Sequence, residues 1–151
     1  MAYTAPRTWT PGETVTASIM NTHVRDNITA LANRAIVIGI GSAGGAEITT
    51  GVVAYVEIPV ALDIQSWTLV SDVSGSLVID VWLDTYANFP PLVGDSIAGS
   101  EKPTLSTAQK NQDLSLSTWT TEIAAGSVLA FNVDSVTTIA QATLSIAVKI
   151  D

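Results

Sequence analysis

The sequence predicts an all-β chain: an antiparallel, jelly-roll-like β-sandwich of about eight strands, preceded by an extended N-terminal arm and one short α-helix. Three observations predict it. Apolar residues alternate with a period of two, as at Leu77, Ile79, Val81 and Leu83, and at Leu144, Ile146, Val148 and Ile150. Turn-forming residues separate these runs, and no helical pattern lies between them, so the strands have no crossover helices and pair antiparallel. The only helical period falls near the N-terminus. A sandwich of this kind with one long excursion suits a jelly roll.

Residues 1–15 read as an extended arm, because Pro6 and Pro11 disfavour helix and Pro11-Gly12 signals a turn. Tyr3 and Trp9 lie on this arm and need a surface to bury against, their own domain's or a neighbour's. Thr16 is the expected N-cap of a helix over 16–35. Met20, Val24, Ile28 and Leu31 follow at steps of four, four and three, which lines them along one stripe. Arg25, Asp26, Asn33 and Arg34 fall mostly off it. A helix this short is marginal alone in water, so the stripe has to pack on the β-domain or on copies of itself.

Strand signals begin at Ala35–Ile40 and end in a glycine-rich turn, Gly41 to Gly45. They continue over Val52–Val60 and Ile64–Val70. Ser71 to Gly75 reads as a turn between strands. Residues 77–84 alternate cleanly. Residues 85–112 carry no periodicity and read as one long connection of the kind that often serves function. Strand signals resume at Leu114, Leu116 and Trp119, then at Leu129, Phe131 and Val133. The last strand is the clearest, with Ala140, Ala142, Leu144, Ile146, Val148 and Ile150 on one face. The expected division is an arm and helix over 1–35 and a β-domain over 36–151.

Composition narrows the functional classes. The chain has 151 residues and no cysteine, which excludes disulfides and thiolate metal sites. Six basic against 14 acidic residues give a formal charge of -8, a balance that repels phosphate backbones and anionic lipid. Nucleic acid and membrane are therefore not expected partners. Hydrophobic residues make up 47% and the mean hydropathy is +0.38, which fits an ordered body with some apolar surface covered by other subunits. Met1 to Pro11 lacks a basic region followed by an apolar stretch, so no signal peptide is expected.

No reaction chemistry emerges. His23 is the only histidine and lies on the helix, so it reads as an interface or exposed residue rather than a catalytic one. Asp80 and Asp84 share a strand face with Trp82, and Asp72 is nearby. Such carboxylates suit a sugar-cleaving pair or a Ca²⁺ site in type; the spacing fits better the solvent face of an edge-accessible strand, or a face between subunits. Gly39, Gly41 and Gly44 match a dinucleotide fingerprint in form, but no helix follows, so they read as a turn. Trp9, Trp67, Trp82 and Trp119 read as core or interface residues, with a sugar-stacking role the lesser alternative. No enzyme activity, metal or cofactor is expected.

One feature is more specific. Thr8-Trp9-Thr10-Pro11-Gly12-Glu13-Thr14-Val15-Thr16-Ala17 runs into Met20-Asn21-Thr22-His23-Val24-Arg25-Asp26-Asn27-Ile28. This resembles the N-terminal motif of many tailed-bacteriophage virion proteins, and helix amphipathicity does not explain its polar order. A second stretch, from Trp67 through Asp72, Ser74-Gly75-Ser76, Asp80-Val81-Trp82, Pro90-Pro91, Asp95-Ser96-Ile97, Lys102-Pro103, Trp119 and Ala125-Gly126 to Phe131-Asn132-Val133, is similar to phage structural and fibre-like proteins. Together they cover most of the chain.

The resemblance implies a virion structural protein, often trimeric. As a capsid decoration or cement protein it would bind the major capsid protein or another virion protein as a homotrimer. As a tail or head fibre, or receptor-binding protein, it would also meet the host surface and its glycans. The attachment or subunit-interface residues expected under either reading are Tyr3, Trp9, Met20, His23, Val24, Arg25, Asp26, Ile28 and Leu31. Asn88, Phe89, Pro90 and Pro91 form the expected exposed recognition loop. The expected location is the virion, assembled in the host cytoplasm.

Overall fold

The alternating apolar runs form seven strands in a computed structural model that describes residues 3–150. They are β1 (Asn33–Gly41), β2 (Gly51–Ile58), β3 (Leu62–Thr85), β4 (Thr104–Asp113), β5 (Glu122–Ile123), β6 (Ser127–Thr137) and β7 (Gln141–Ile150). Before them α1 (Ala17–Met20), a π-helical segment (Asn21–Arg25) and α2 (Asp26–Ala32) follow one another directly. The chain divides into two units, Met1–Arg34 and Ala35–Asp151.

The long strand β3 organises the β-unit. Its first part pairs antiparallel with β7, from Leu62 opposite Ile150 to Ser71 opposite Ala142. Its second part pairs with β6, from Ser76 opposite Thr137 to Thr85 opposite Ser127. β4 turns the same corner: Lys110 pairs with Val70, Ala108 with Gly75 and Leu105 with Leu77. Divided at this corner, the strands make two sheets, β1-β7-β3-β4 and β2-β6-β3-β4. This is the order of a jelly roll, in which each half of β3 and β4 counts as a strand of its own.

Alternation then fills the space between the sheets. Leu69, Leu77, Ile79, Val81, Leu129, Phe131, Leu144 and Ile146 are fully buried, one face of each strand supplying the core. The corner needs Gly75, because a Cβ there would stand 2.5 Å from the Thr137 carbonyl oxygen and 2.6 Å from Ile139 Cγ1.

Several expectations are corrected. Ser71 to Gly75 is not a loop between two strands; it is a bend within β3, where the register with β4 shifts between Val70 and Gly75 and the pairing resumes beyond it. The stretch 85–112 is not structureless throughout, since β4 occupies Thr104–Asp113. Its sequence escaped the period-two test because it is an edge strand whose only buried residue is Leu105. The irregular connection is 86–103, with short 3₁₀ turns at Tyr86–Asn88 and Val93–Asp95. Leu114, Leu116 and Trp119 form no strand. Leu114 is exposed, and Trp119 is buried with its indole N–H donating to the Glu101 carbonyl at 3.0 Å. The helix ends at Ala32, where Asn33 already has extended backbone.

Candidate functional site

In the Met1–Arg34 unit the arm is clipped to its own helix. Thr10-Pro11-Gly12-Glu13 makes a tight turn, with Glu13 N–H donating to the Thr10 carbonyl at 3.1 Å and Gly12 at φ 79°. Arg7 pairs with the Glu13 carboxylate and lies 5.1 Å over the Trp9 ring. Thr16 caps the helix as expected, its hydroxyl accepting from Ile19 N–H. The one buried residue of α2 is Asn27. Its amide donates to the Thr4 carbonyl at 2.9 Å and to the His23 carbonyl at 3.2 Å, and its oxygen accepts from Thr4 N–H at 2.9 Å.

Asn27 belongs to the motif but not to the expected interface residues. A polar residue that helix amphipathicity does not account for was the available signal, and its role is to tie the arm back to the helix.

Within the Met1–Arg34 unit the apolar stripe is left uncovered. Met20 is 44% exposed, Val24 37%, Ile28 64% and Leu31 54%. The π-helical segment explains why these four align. A step of four overshoots one α-helical turn of 3.6 residues, whereas the wider turn, closed by Asp26 N–H on the Asn21 carbonyl, brings it closer to a full revolution. Tyr3 and Trp9 are exposed as well. Arg25 does not stand ready for another chain alone, since its Nε donates to Asp26 at 2.7 Å. His23 is half-buried, with Nδ1 enclosed and unpartnered among the described residues.

In the Ala35–Asp151 unit the 86–103 connection is anchored by charge. Asp80 is 1% exposed, which overturns its placement on a solvent face. Lys102 Nζ stands 2.8 Å from Asp80 and 2.8 Å from Asp134, and Ser96 donates to Asp80 at 2.6 Å. Burial raises the Asp80 pKa, but Lys102, Ser96 and the Trp82 indole outweigh it and hold the carboxyl below its usual value. Lys102 is raised, chiefly by its hydrogen bonds to Asp134 and Asp80. Immediately before Lys102, Glu101 accepts from the Ser117 hydroxyl and from Thr118 N–H, which lowers its pKa to about 2.

Glu101 did not stand out in the sequence, and Lys102 entered only through the resemblance, because their partners lie 16 to 32 residues away.

Asp72, Asp80 and Asp84 are not brought together. Asp72 accepts from Gln141 N–H, and Asp84 from Asn88 and Thr85 N–H. Asn88, Phe89 and Pro90 are exposed, but Pro91 is buried and drops out of the expected recognition loop. Proline has no N–H, so its burial strands no donor. Trp67, Trp82 and Trp119 are buried, which leaves Trp9 as the exposed tryptophan.

No family model matches the chain, and no curated protein does. Among solved structures, one described as "Structure of infectious bursal disease virus Gx strain" matches with 17% identity and a TM-score of 0.31. The match covers 78% of this chain and 33% of the viral one, so this chain spans about a third of that length.

Proposed function

We propose that this chain is a structural protein of a tailed-bacteriophage particle, a capsid decoration or cement protein that binds the shell as a homotrimer. The observation that supports this most is the uncovered stripe of Met20, Val24, Ile28 and Leu31. Leaving such a helix face in water is unfavourable, and burying it against other chains removes that cost. The motif from Trp9 to Asn27 points the same way, by resemblance. Asn27 holds the arm against the helix, so Tyr3 and Trp9 would meet a partner already ordered, which lowers the entropy lost on binding. The β-unit is then a close-packed body carried by that attachment, and the major capsid protein is the expected partner.

A second reading, a tail or head fibre or receptor-binding protein, is favoured by the exposed Tyr86, Asn88 and Phe89. Quantitative mass spectrometry of purified particles separates the two. Copies on the order of hundreds per particle support shell decoration, in keeping with repeated symmetric sites, and a few to tens support the tail. A chain absent from the particles contradicts both.

A further inference from the structure

We propose that a surface trough beside β2 binds a neutral pyranose sugar. The trough has a volume of about 370 Å³ and is lined by Tyr55, Glu57, Tyr86, Phe89 and Val128. Strand register builds its floor. Val128 of β6 stands opposite Glu57 of β2 on one side and Asp84 of β3 on the other. The two acidic residues therefore flank one apolar residue on the same sheet face, with backbones about 10 Å apart across two strand spacings. A sugar ring with its hydroxyls spans such a gap.

The walls are aromatic. Tyr55 and Phe89 meet edge to face, with ring centroids 4.9 Å apart and an interplanar angle of 62°. Tyr86 is 76% exposed, Phe89 50% and Tyr55 46%. A pyranose offers an apolar C–H face to stack on an aromatic ring and hydroxyls that donate to carboxylates.

The polar groups are partly preset. Asn88 Nδ2 donates to Asp84 Oδ1 at 3.1 Å and Thr85 N–H donates to the same oxygen at 2.6 Å, which fixes that carboxylate. Two carboxylates in a chain of charge -8 repel sulfated or sialylated sugars, so the ligand is neutral. A cationic side chain would stack on a single ring face within about 6 Å, whereas the trough offers three rings around one carboxylate. A flat sugar ring uses more of that aromatic surface than a single cationic side chain does, and the peptide arm of the test below separates the two. The proposal rests on the receptor-binding reading and not on the helix stripe, so the two proposals can fail separately.

The test uses the full chain and neutral tetrasaccharides of glucose, galactose and N-acetylglucosamine, titrated by NMR and calorimetry. At least one is expected to bind with a Kd on the order of 1 mM or tighter, independently of salt. Tyr86→Ala and Glu57→Gln should each weaken it about tenfold or more, while Leu114→Ala, at an exposed leucine that does not line the trough, should leave it unchanged. Tyr86→Phe, which keeps the ring, should retain most of the binding and guards against loss of fold. No binding by any of the three sugars, binding that survives Tyr86→Ala, or a response to a tetra-arginine peptide in place of sugar would each overturn the proposal.

Discussion

Lys102 joins two carboxylates of unequal exposure, and the inequality decides what each is worth. Asp80 has a side chain 1% exposed, whereas that of Asp134 is 27% exposed. Lys102→Met leaves a buried carboxylate without its cation, which is strongly unfavourable. Asp134→Asn only removes a screened partner. Chemical denaturation should show a loss of about 2 kcal/mol or more for Lys102→Met and about 0.5 kcal/mol for Asp134→Asn. Equal losses would mean that Asp80 does not depend on Lys102.

Glu101 adds a pH dependence. Its folded pKa, about 2, lies below its ordinary 4.5. The stabilisation it contributes is therefore complete above 4.5 and is lost as pH falls towards 2. The melting temperatures of wild type and Glu101→Gln should differ most near about pH 7 and converge as pH drops through that window. A gap that stays constant with pH would contradict the assigned hydrogen bonds.

Elements were legible wherever one strand face was apolar. β7 could be read residue by residue, because its alternation maps onto buried and less buried faces; the second half of β3 showed its core face, but its other face is covered as well, at Asp80 and Trp82. β4 could not, since an edge strand holds its place through backbone pairing rather than side-chain burial. The β3 corner differs from the expected turn for a related reason: Ser71 to Gly75 has turn composition, but the strand pairing on both sides of it carries the backbone through as one bent strand. Gly75 is the residue that this corner constrains most. Gly75→Ala should destabilise the β-unit by about 1–3 kcal/mol in thermal or denaturant unfolding, through overpacking against Thr137 and Ile139. A neutral effect would mean that the corner has room to relax.

The helix stripe was legible as a pattern but not in its consequence, because periodicity shows which residues share a face and not what covers them. In the Met1–Arg34 unit the buried residue of α2 is Asn27, and the apolar ones stay outside. The trough on the β-unit was only partly legible. Phe89 lay in the expected loop, but Tyr55, Glu57 and Val128 meet it through the pairing of β2 with β6.

At the scale of the molecule, a unit with an arm clipped to an uncovered helix precedes a jelly roll with a closed core. The charge of -8 resists nonspecific clustering, so association would be confined to the few apolar surfaces that remain. Burying a Leu or Ile side chain is worth about 1.5–3 kcal/mol, and three copies of the stripe together could hold a small symmetric bundle. The proposed role rests on that stripe meeting other chains. Sedimentation equilibrium of the full chain, beside an Ile28→Asp/Leu31→Asp variant, tests it most directly. The wild type should have the mass of three chains, and the variant that of one, with unchanged β-sheet circular dichroism and melting temperature. A wild type that stays monomeric at all concentrations, or a variant that keeps the trimer mass, would contradict it.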